Sequence, residues 1–417
     1  MTAPNFKRTK LACYTAYFTM SSIFSLPPLL FVTMREKYNI SYTLLGTLVL
    51  VNFFTQLLID LVFTVYSKHF NPKKIVRVMP LITSLGLAIY ALIPTFFPNI
   101  AYLGLLLGTV IFSVSAGLSE VLLSPTIAAI PSDNPGRDMS LLHSLYAFGV
   151  FTVVVVSTVF LKLFGTDNWM FLTLFFALWP ILAAVMFFAS PMPDMSDSHG
   201  ETVKVSGGIS RIVAHALCFA CIFFGSCAEN NMSNWISGYI ETALGIDKAL
   251  GDILGMASFA ILLGIARVAY SKYGKNICRV LLFGMIRATV CYLVVAFSSN
   301  AVISLIACAV TGFCTSMLWP GTLIMMEEKL PGSGVAAFAM MAAGGDTGAA
   351  VAPQLMGAVV DAVSVSGFGI ELAEKLSLTP EQVGMKAGML VCSVFPIVGI
   401  FVVVTIIRYF KKNKFEA

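Results

Sequence analysis

The chain has 417 residues, of which 58% are hydrophobic and 11% are charged, and its formal net charge is +5. Soluble domains carry roughly 25% charged residues, so this composition excludes an ordinary soluble protein. A hydrophobic fraction of 58% corresponds to about 240 residues, which is enough for about twelve membrane-spanning helices of about 20 residues each. The sequence therefore predicts an all-α polytopic membrane protein.

Apolar windows bounded by charge clusters or by Pro, Gly and Asn follow one another along the chain. The first six windows cover residues 11–34, 42–66, 75–97, 99–129, 139–163 and 169–190. The second six cover residues 210–240, 248–270, 277–297, 300–326, 334–360 and 386–409. We predict twelve transmembrane helices in two halves. These are an N-terminal six-helix bundle over residues 1–190, a polar cytoplasmic linker over 191–209 and a C-terminal six-helix bundle over 210–417.

Lysine and arginine are distributed unevenly between alternate loops. If both termini are cytoplasmic, 18 of the 26 Lys and Arg residues face the cytoplasm and 6 face outward, while Arg267 and Arg287 lie inside windows. Cytoplasmic loops of membrane proteins are enriched in these residues. We therefore expect a multi-pass protein of the cell membrane with both termini in the cytoplasm. The same distribution explains the positive net charge by topology, so no nucleic-acid partner is expected.

The two halves share local sequence features, which indicates an internal parallel repeat. Residues 66–68, after the second window, and residues 270–272, after the eighth, both have the sequence Tyr-Ser-Lys. Gly117 precedes Pro125 by eight residues in the fourth window, and Gly312 precedes Pro320 by the same interval in the tenth.

This six-plus-six plan resembles the major facilitator superfamily of secondary transporters over the whole chain. The loop after the second helix usually has the pattern Gly-x-x-x-Asp-Arg-x-Gly-Arg-Arg in that superfamily. Here Phe63 and Ser67 occupy the Gly and Asp positions, and the basic residues Lys68, Lys73 and Lys74 are kept. The resemblance implies alternating access by two rocking halves, with the first, fourth, seventh and tenth helices lining a central cavity.

Glu120 is an ionisable residue in the fourth window, where a charged group is costly and suggests a function. Gly117 and Ser124 lie three residues before and four after it, so all three share one helix face. The stretch resembles the fourth helix of the fucose-permease-like branch of the superfamily, where such a Glu is a protonation site. That resemblance implies that Glu120 is the proton-coupling carboxylate. The alternative is a neutral Glu that is hydrogen-bonded within the N-terminal half.

The seventh window contains the densest group of polar residues, and Glu229, Asn230 and Trp235 are its main candidates. Amide, carboxylate and hydroxyl groups beside an aromatic ring suit a polyhydroxylated solute. We therefore predict that all three bind substrate and that Glu229 also takes part in proton coupling. The residue order resembles the seventh helix of fucose-permease-like sugar transporters. Alternatively, part of this stretch is the outer end of a helix in water.

Two further windows supply candidate substrate ligands. In the tenth, Thr315 and Trp319 share a face, and the repeat pairs Thr315 with Glu120. In the first, Tyr17 and Ser21 lie on one face. These side chains could equally form interhelical hydrogen bonds.

The remaining charged groups at membrane depth are expected to be structural or gating charges. Asp60 follows Asn52 and Gln56 at intervals of four residues, which suggests that it closes a gate or caps a helix. Asp346 lies among glycines in the eleventh window, and a lone charge there would be costly. We expect Arg287 or Arg267 to neutralise it, and substrate-anion binding by Arg287 is the alternative.

No pattern for enzymatic or metal chemistry is found. The sequence lacks His-x-x-Glu-His, Gly-x-Ser-x-Gly and Walker motifs, and its four His residues are not spaced as metal ligands. We predict a secondary active transporter, not an enzyme, without cofactor or metal. It would act as a monomer in the lipid bilayer. It would move a small polar solute, for which a sugar is the best guess, with proton symport through Glu120. Efflux or uptake of another metabolite or drug, and a non-transporting receptor or scramblase, are the alternatives. Residues 361–385 are predicted to form a short outer helix.

Overall fold

The computed structural model describes residues 6–66, 69–132, 135–193, 209–330 and 334–413, and within these ranges all regular secondary structure is helical. Ser67 and Lys68 of the loop motif, and most of the predicted linker, lie outside the described residues. The chain divides into two compact units that follow the predicted halves except at Ile40–Leu50. This short segment belongs to the second unit.

The first unit contains six complete α-helices and the larger part of a seventh. They are α1 (Lys7–Leu29), α2 (Phe31–Tyr38), α3 (Tyr42–Tyr66) from Val51 onward, α4 (Pro72–Phe96), α5 (Ala101–Ala128), α6 (Pro135–Phe164) and α7 (Trp169–Phe188).

The second unit contains the first turns of α3 and the ten helices that follow the linker. These are α8 (Ile209–Leu244), α9 (Lys248–Gly251), α10 (Ser258–Tyr273), α11 (Ile277–Phe297), α12 (Ala301–Thr315), α13 (Leu318–Lys329), α14 (Gly334–Ser364), α15 (Gly367–Leu376), α16 (Pro380–Cys392) and α17 (Val394–Lys412). A π-helix over Asp252–Ala257 joins α9 to α10.

In the described part of the chain, nine helical segments are long and apolar enough to cross a membrane. Two bent pairs, α1 with α2 at 48° and α14 with α15 at 78°, raise this number to eleven. The remaining predicted window coincides with α6, whose described apolar part is Phe148–Phe164. Every predicted window therefore contains a helix, and the prediction of an all-α polytopic membrane protein is confirmed.

Several helix ends follow directly from local sequence. Proline has no backbone N–H, and Pro27 and Pro28 fall in the last turn of α1, before the bend into α2. Asn71 accepts a hydrogen bond from the Lys74 N–H, and Pro72 opens α4. Thr379 and Gln382 form a reciprocal capping box at the start of α16.

Glycine allows the helices to approach closely, because lipid gives no hydrophobic force between helices and packing has to supply it. In the first unit, a Cβ on Gly86 of α4 would lie 2.5 Å from the Phe112 backbone nitrogen of α5. In the second unit, a Cβ on Gly348 of α14 would lie 2.4 Å from the Phe223 carbonyl oxygen of α8. These contacts fix the α4–α5 and α8–α14 pairs.

The start of α3 is anchored within the second unit. Ser41 Oγ accepts from the Leu44 N–H, whereas the Asp361 carboxylate accepts from the N–H groups of Tyr42 at 3.1 Å and Thr43 at 2.6 Å. A carboxylate at a helix N-terminus satisfies open donors and interacts favourably with the helix dipole. Two N–H groups at the beginning of the second span therefore depend on a residue at the end of α14.

Candidate functional site

Glu120 lies on α5 as the exposed residue of a segment, residues 112–127, that is otherwise buried or half-buried. Gly117, one turn earlier, holds α5 against α3, because a Cβ there would lie 2.9 Å from the Cβ of Ile59. Glu120 interacts electrostatically with Asp60 of α3. Two carboxyl groups therefore lie near each other on one side of the first unit.

The predicted stripe of Asn52, Gln56 and Asp60 divides into two parts. Asn52 Oδ1 accepts hydrogen bonds from Ser113 Oγ at 2.6 Å and from Gln56 Nε2 at 3.1 Å, and all three side chains are buried. These residues join α3 to α5. Asp60 is half-buried and lies next to Glu120, which brings together two residues that the sequence placed in separate roles.

Tyr17 and Ser21 of α1 are buried within the first unit. Ser21 Oγ donates to the Phe18 carbonyl at 2.7 Å and touches α6 at Gly149, where a Cβ would come within 2.3 Å of it. Tyr17 packs in the hydrophobic core with Leu118 and Leu122. Neither side chain is open to a solute in this structure.

The second unit contains an ion pair inside the membrane-spanning region. Arg267 Nη2 of α10 lies 3.4 Å from Glu229 Oε1 of α8, and Arg267 Nε donates to the Ser316 carbonyl at 3.0 Å. Ser316 lies between α12 and α13, where the end of a helix leaves carbonyl groups without intrahelical partners. The side chain of Arg267 is 40% exposed and that of Glu229 is 17% exposed.

The second oxygen of Glu229, Oε2, is buried and has no hydrogen-bond partner among the described residues. An unsatisfied oxygen on a buried carboxylate is costly, because the desolvation is not compensated. A proton or a donor from a bound solute would remove this cost. Glu229 therefore contacts Arg267 through Oε1, while Oε2 can accept a proton or a hydrogen bond.

Asn230, Ser226 and Trp319 surround the same region of the second unit. Asn230 Nδ2 donates to Ser226 Oγ at 3.1 Å, and Ser226 Oγ donates to the Gly345 carbonyl at 2.6 Å. The Trp319 ring lies against Gly345, where a Cβ would come within 2.2 Å of it. Helices α8, α13 and α14 therefore place an amide, a hydroxyl and an indole beside Glu229. Asn230 and Trp319 are both half-buried.

Trp235 and Thr315 take part in packing. The indole N–H of Trp235 donates to the Pro353 carbonyl at 3.1 Å, and its ring centroid lies 5.8 Å from that of Tyr42. Thr315 Oγ1 donates to the Thr311 carbonyl one turn earlier. Both residues are fully buried, and neither is open to a solute in this structure.

The ion pair that the sequence predicts between Asp346 and Arg287 or Arg267 stays a prediction. Arg267 pairs with Glu229, while the Arg287 guanidinium carbon lies 5.6 Å from the centroid of the Phe283 ring. Arg287 is exposed on the same face of α11 as Phe283 and Val290, whereas Asp346 is buried in α14. Arg287 therefore lies on an exposed face of α11, and Asp346 lies in a buried part of α14.

Sequence reasoning missed the Glu229–Arg267 pair and the role of Gly345. Opposite charges in the seventh and eighth windows were a usable signal, but Arg267 was considered only as an alternative to Arg287 for neutralising Asp346. Among the described residues, no group of three His, Cys, Asp or Glu side chains could hold a metal ion. The nine cysteines are free thiols.

The helical architecture and its buried charges define a polytopic membrane transporter, and comparison with protein families identifies which kind. Residues 12–353 match the Major Facilitator Superfamily, so the chain belongs to this superfamily. It is a transporter and not an enzyme. No curated protein matches the chain.

Solved structures share the fold over nearly the whole chain. A bacterial homolog of the human lysosomal transporter Spinster, inward-facing and occupied, has a TM-score of 0.76 at 13% identity, with 100% of both chains covered. A D-xylose-proton symporter has a TM-score of 0.75 at 12% identity, covering 98% of this chain and 99% of its own. The E. coli fucose:proton symporter has a TM-score of 0.57 at 12% identity, covering 94% and 99%. These similarities show the fold, and they do not single out the fucose-permease-like branch.

Proposed function

We propose that the chain is a proton-coupled secondary transporter that moves a small polar solute across the cell membrane by alternating access. The observation that carries this proposal is the Glu120 carboxyl, which is exposed within an otherwise buried segment of α5 and lies near Asp60. Two ionised carboxylates near each other repel, so protonation of one relieves the repulsion. Coupling to a proton gradient requires a group that binds and releases one proton as its surroundings change.

The second unit supplies the solute-binding groups in this proposal. Asn230 and Glu229 offer hydrogen-bonding groups, and Trp319 offers an aromatic face. A solute with several hydroxyl groups can use all three, because its hydroxyls pair with amide and carboxylate groups and its C–H faces stack on an indole. A sugar or a sugar derivative is therefore the favoured solute class.

Glu120→Gln tests the coupling. In proteoliposomes, a wild-type transporter should concentrate its solute when the outside is acidic, and it should exchange labelled for unlabelled solute without a gradient. The Gln variant cannot bind the coupling proton. We expect exchange to continue while accumulation falls to simple equilibration. Labelled D-xylose, D-galactose and D-galacturonate are the probes.

Glu371→Gln is the matched control, since it removes a carboxyl group from α15, where Glu371 is 65% exposed and pairs with Lys375. This variant should accumulate solute as the wild type does. Unchanged accumulation in Glu120→Gln would contradict the proposed role of Glu120. Binding of a probe without any exchange in the wild-type protein would instead indicate a non-transporting receptor.

A further inference from the structure

Arg267 is held by contacts that leave it available to another anion. It makes one contact of 3.4 Å with Glu229, and its Nε donates to the Ser316 carbonyl. A strong arginine–carboxylate pair is usually bidentate and shorter, with N–O distances of about 2.7–2.9 Å. The Arg267 side chain is also 40% exposed, so it is not enclosed by its two contacts.

The charge of Glu229 determines whether Arg267 has a counter-ion within the protein. Its Oε1 faces Arg267 and its buried Oε2 has no hydrogen-bond partner among the described residues. A proton bound at Oε2 would form an O–H bond from an oxygen lone pair and remove the negative charge of the carboxyl. Arginine stays charged under all relevant conditions. Protonation of Glu229 therefore leaves a guanidinium in the membrane without its counter-ion.

We propose that the solute carries a carboxylate, which takes the place of Glu229 as the counter-ion of Arg267 when Glu229 binds a proton. This inference rests on the proposed transport function and names the substrate class. One proton from the aqueous phase goes to Glu229, and one solute carboxylate goes to Arg267. The loaded site has the same net charge as the empty one. A neutral solute would leave Arg267 unpaired in the protonated state, which is expensive inside a membrane.

Other charged groups packed against α8 lie on α14 and in the α9 region. From α14, Asp346 is buried beside Gly345, and Arg267 is the charged group that acts on Glu229. From the α9 region, Lys248 lies 3.2 Å from Glu241 and 3.7 Å from Asp252. That group lies about three turns further along α8 and forms its own ion cluster. Glu229 and Arg267 thus form a pair that one proton and one anion can separate.

The surrounding groups specify the rest of the solute. Asn230 provides an amide next to Glu229 and is held by the buried Ser226 hydroxyl, and Trp319 provides a flat apolar surface over Gly345. A small hydroxy acid or a sugar acid matches this arrangement, since it has one carboxylate, several hydroxyl groups and apolar C–H edges. A large apolar acid would have no group that hydrogen-bonds to Asn230.

Three matched pairs of an acid and its neutral counterpart test this class on the purified full-length protein. They are D-galacturonate with D-galactose, D-gluconate with D-glucitol, and L-lactate with propane-1,2-diol. The acids are ionised at both about pH 5.5 and about pH 7.5, whereas a carboxyl group in the protein can change state in this interval. Ligand-induced shifts of the melting temperature give apparent affinities. We expect an acid to bind more tightly than its neutral counterpart, and more tightly at the lower pH.

The charge variants give the sharper outcomes. Glu229→Gln imitates the protonated residue, so its binding of the acid should persist and become independent of pH. Arg267→Gln should lower the binding affinity for the acid by about tenfold to a hundredfold, the usual range for one charge-assisted hydrogen bond. Lys272→Gln removes a positive charge further along α10, where Lys272 lies over the Tyr273 ring, and it should bind the acid as the wild type does.

Arg267→Gln leaves Glu229 without its partner and could fail to fold for that reason. The double variant Glu229→Gln/Arg267→Gln removes both charges and relieves that cost, and it should fold but lose the preference for the acid. The proposal is wrong if the neutral members bind as well as the acids, if no acid stabilises the wild-type protein, or if the double variant keeps the preference. Failure of Glu120→Gln to uncouple transport is a separate result, because these binding measurements involve no proton gradient.

Discussion

Hydroxyl groups in the spans mostly donate to a carbonyl one turn earlier on their own helix. Thr311, Thr315 and Thr322 on α12 and α13 all do this, as does Thr126 on α5. Such a hydroxyl is polar in the sequence but already satisfied, so it offers little to a solute. The carboxyl group of Glu229 differs from these four hydroxyls because its Oε2 has no hydrogen-bond partner among the described residues.

Asp138 shows how an ionisable group outside the apolar spans contributes to stability. A hydrogen bond from Lys10, followed by one from Ser132, holds the pKa of Asp138 below its ordinary value, and Tyr14 Oη also donates to it at 3.3 Å. A lowered folded-state pKa stabilises the protein above the ordinary carboxyl range of about pH 4. This stabilisation is lost as the pH falls through the folded-state value.

We therefore expect Asp138→Asn to destabilise the protein at neutral pH by about 1 kcal/mol, the upper range for a partly exposed ion pair. The difference in melting temperature between wild type and variant should shrink as the pH drops below about 4. Asp167→Asn is the control, because Asp167 is 89% exposed in its pair with Lys37 and should matter less. A difference that grew on acidification would contradict the sign of this argument.

At the scale of elements, the contact between α8 and α14 brings the candidate residues together. Gly348 lies directly on the α8 backbone, and Gly345 receives both the Ser226 hydroxyl and the Trp319 ring. Small residues are typical of close helix contacts in membranes. The glycines in the sequence indicated that helices approach closely there. The sequence did not indicate which helices meet, because residue spacing gives the face of one helix and not its neighbour.

Gly348→Ala tests this helix contact. The new Cβ would lie 2.4 Å from the Phe223 carbonyl oxygen and 3.1 Å from the Cys227 nitrogen, and backbone atoms cannot move aside cheaply. We expect a loss of about 1–3 kcal/mol, as for overpacking elsewhere, measured by thermal unfolding in one detergent.

Gly264→Ala on α10 is the matched control, because no atom lies within 4 Å of the new Cβ. It should be neutral or stabilise the protein by roughly 0.5–1 kcal/mol, since glycine is a poor helix former. Equal effects of the two substitutions would show that close packing at Gly348 is not the cause.

At the scale of the whole molecule, the uneven distribution of Lys and Arg predicts that both termini face the cytoplasm. Lys375→Cys on α15 and Lys411→Cys at the end of α17 test this orientation, as both side chains are exposed. A membrane-impermeant thiol reagent should label position 375 on intact cells and position 411 only after permeabilisation. The native cysteines are buried or half-buried and serve as the background. The reverse labelling pattern would overturn the predicted topology.

The fold class and the positions of the helical windows could be predicted from the sequence, because a span is a local property of about 20 consecutive residues. The site could be predicted only in part. Glu120, Glu229 and Asn230 could be singled out as candidates because polar groups at membrane depth stand out against apolar neighbours. The partner of Arg267, the burial of Trp235 and the capping of α3 depend on which helices meet. These are long-range properties that one sequence does not contain.

The capping of α3 by Asp361 has a consequence for the biosynthesis of the protein. Asp361 follows Tyr42 by 319 residues and Thr43 by 318. At about 5–20 residues per second, a ribosome needs roughly half a minute to add that length of chain. During this time the nascent second span has the Ser41 cap on Leu44 but lacks the Asp361 carboxylate that accepts from Tyr42 and Thr43. The beginning of this span is therefore completed only after the eleventh has been synthesised, however early it enters the bilayer.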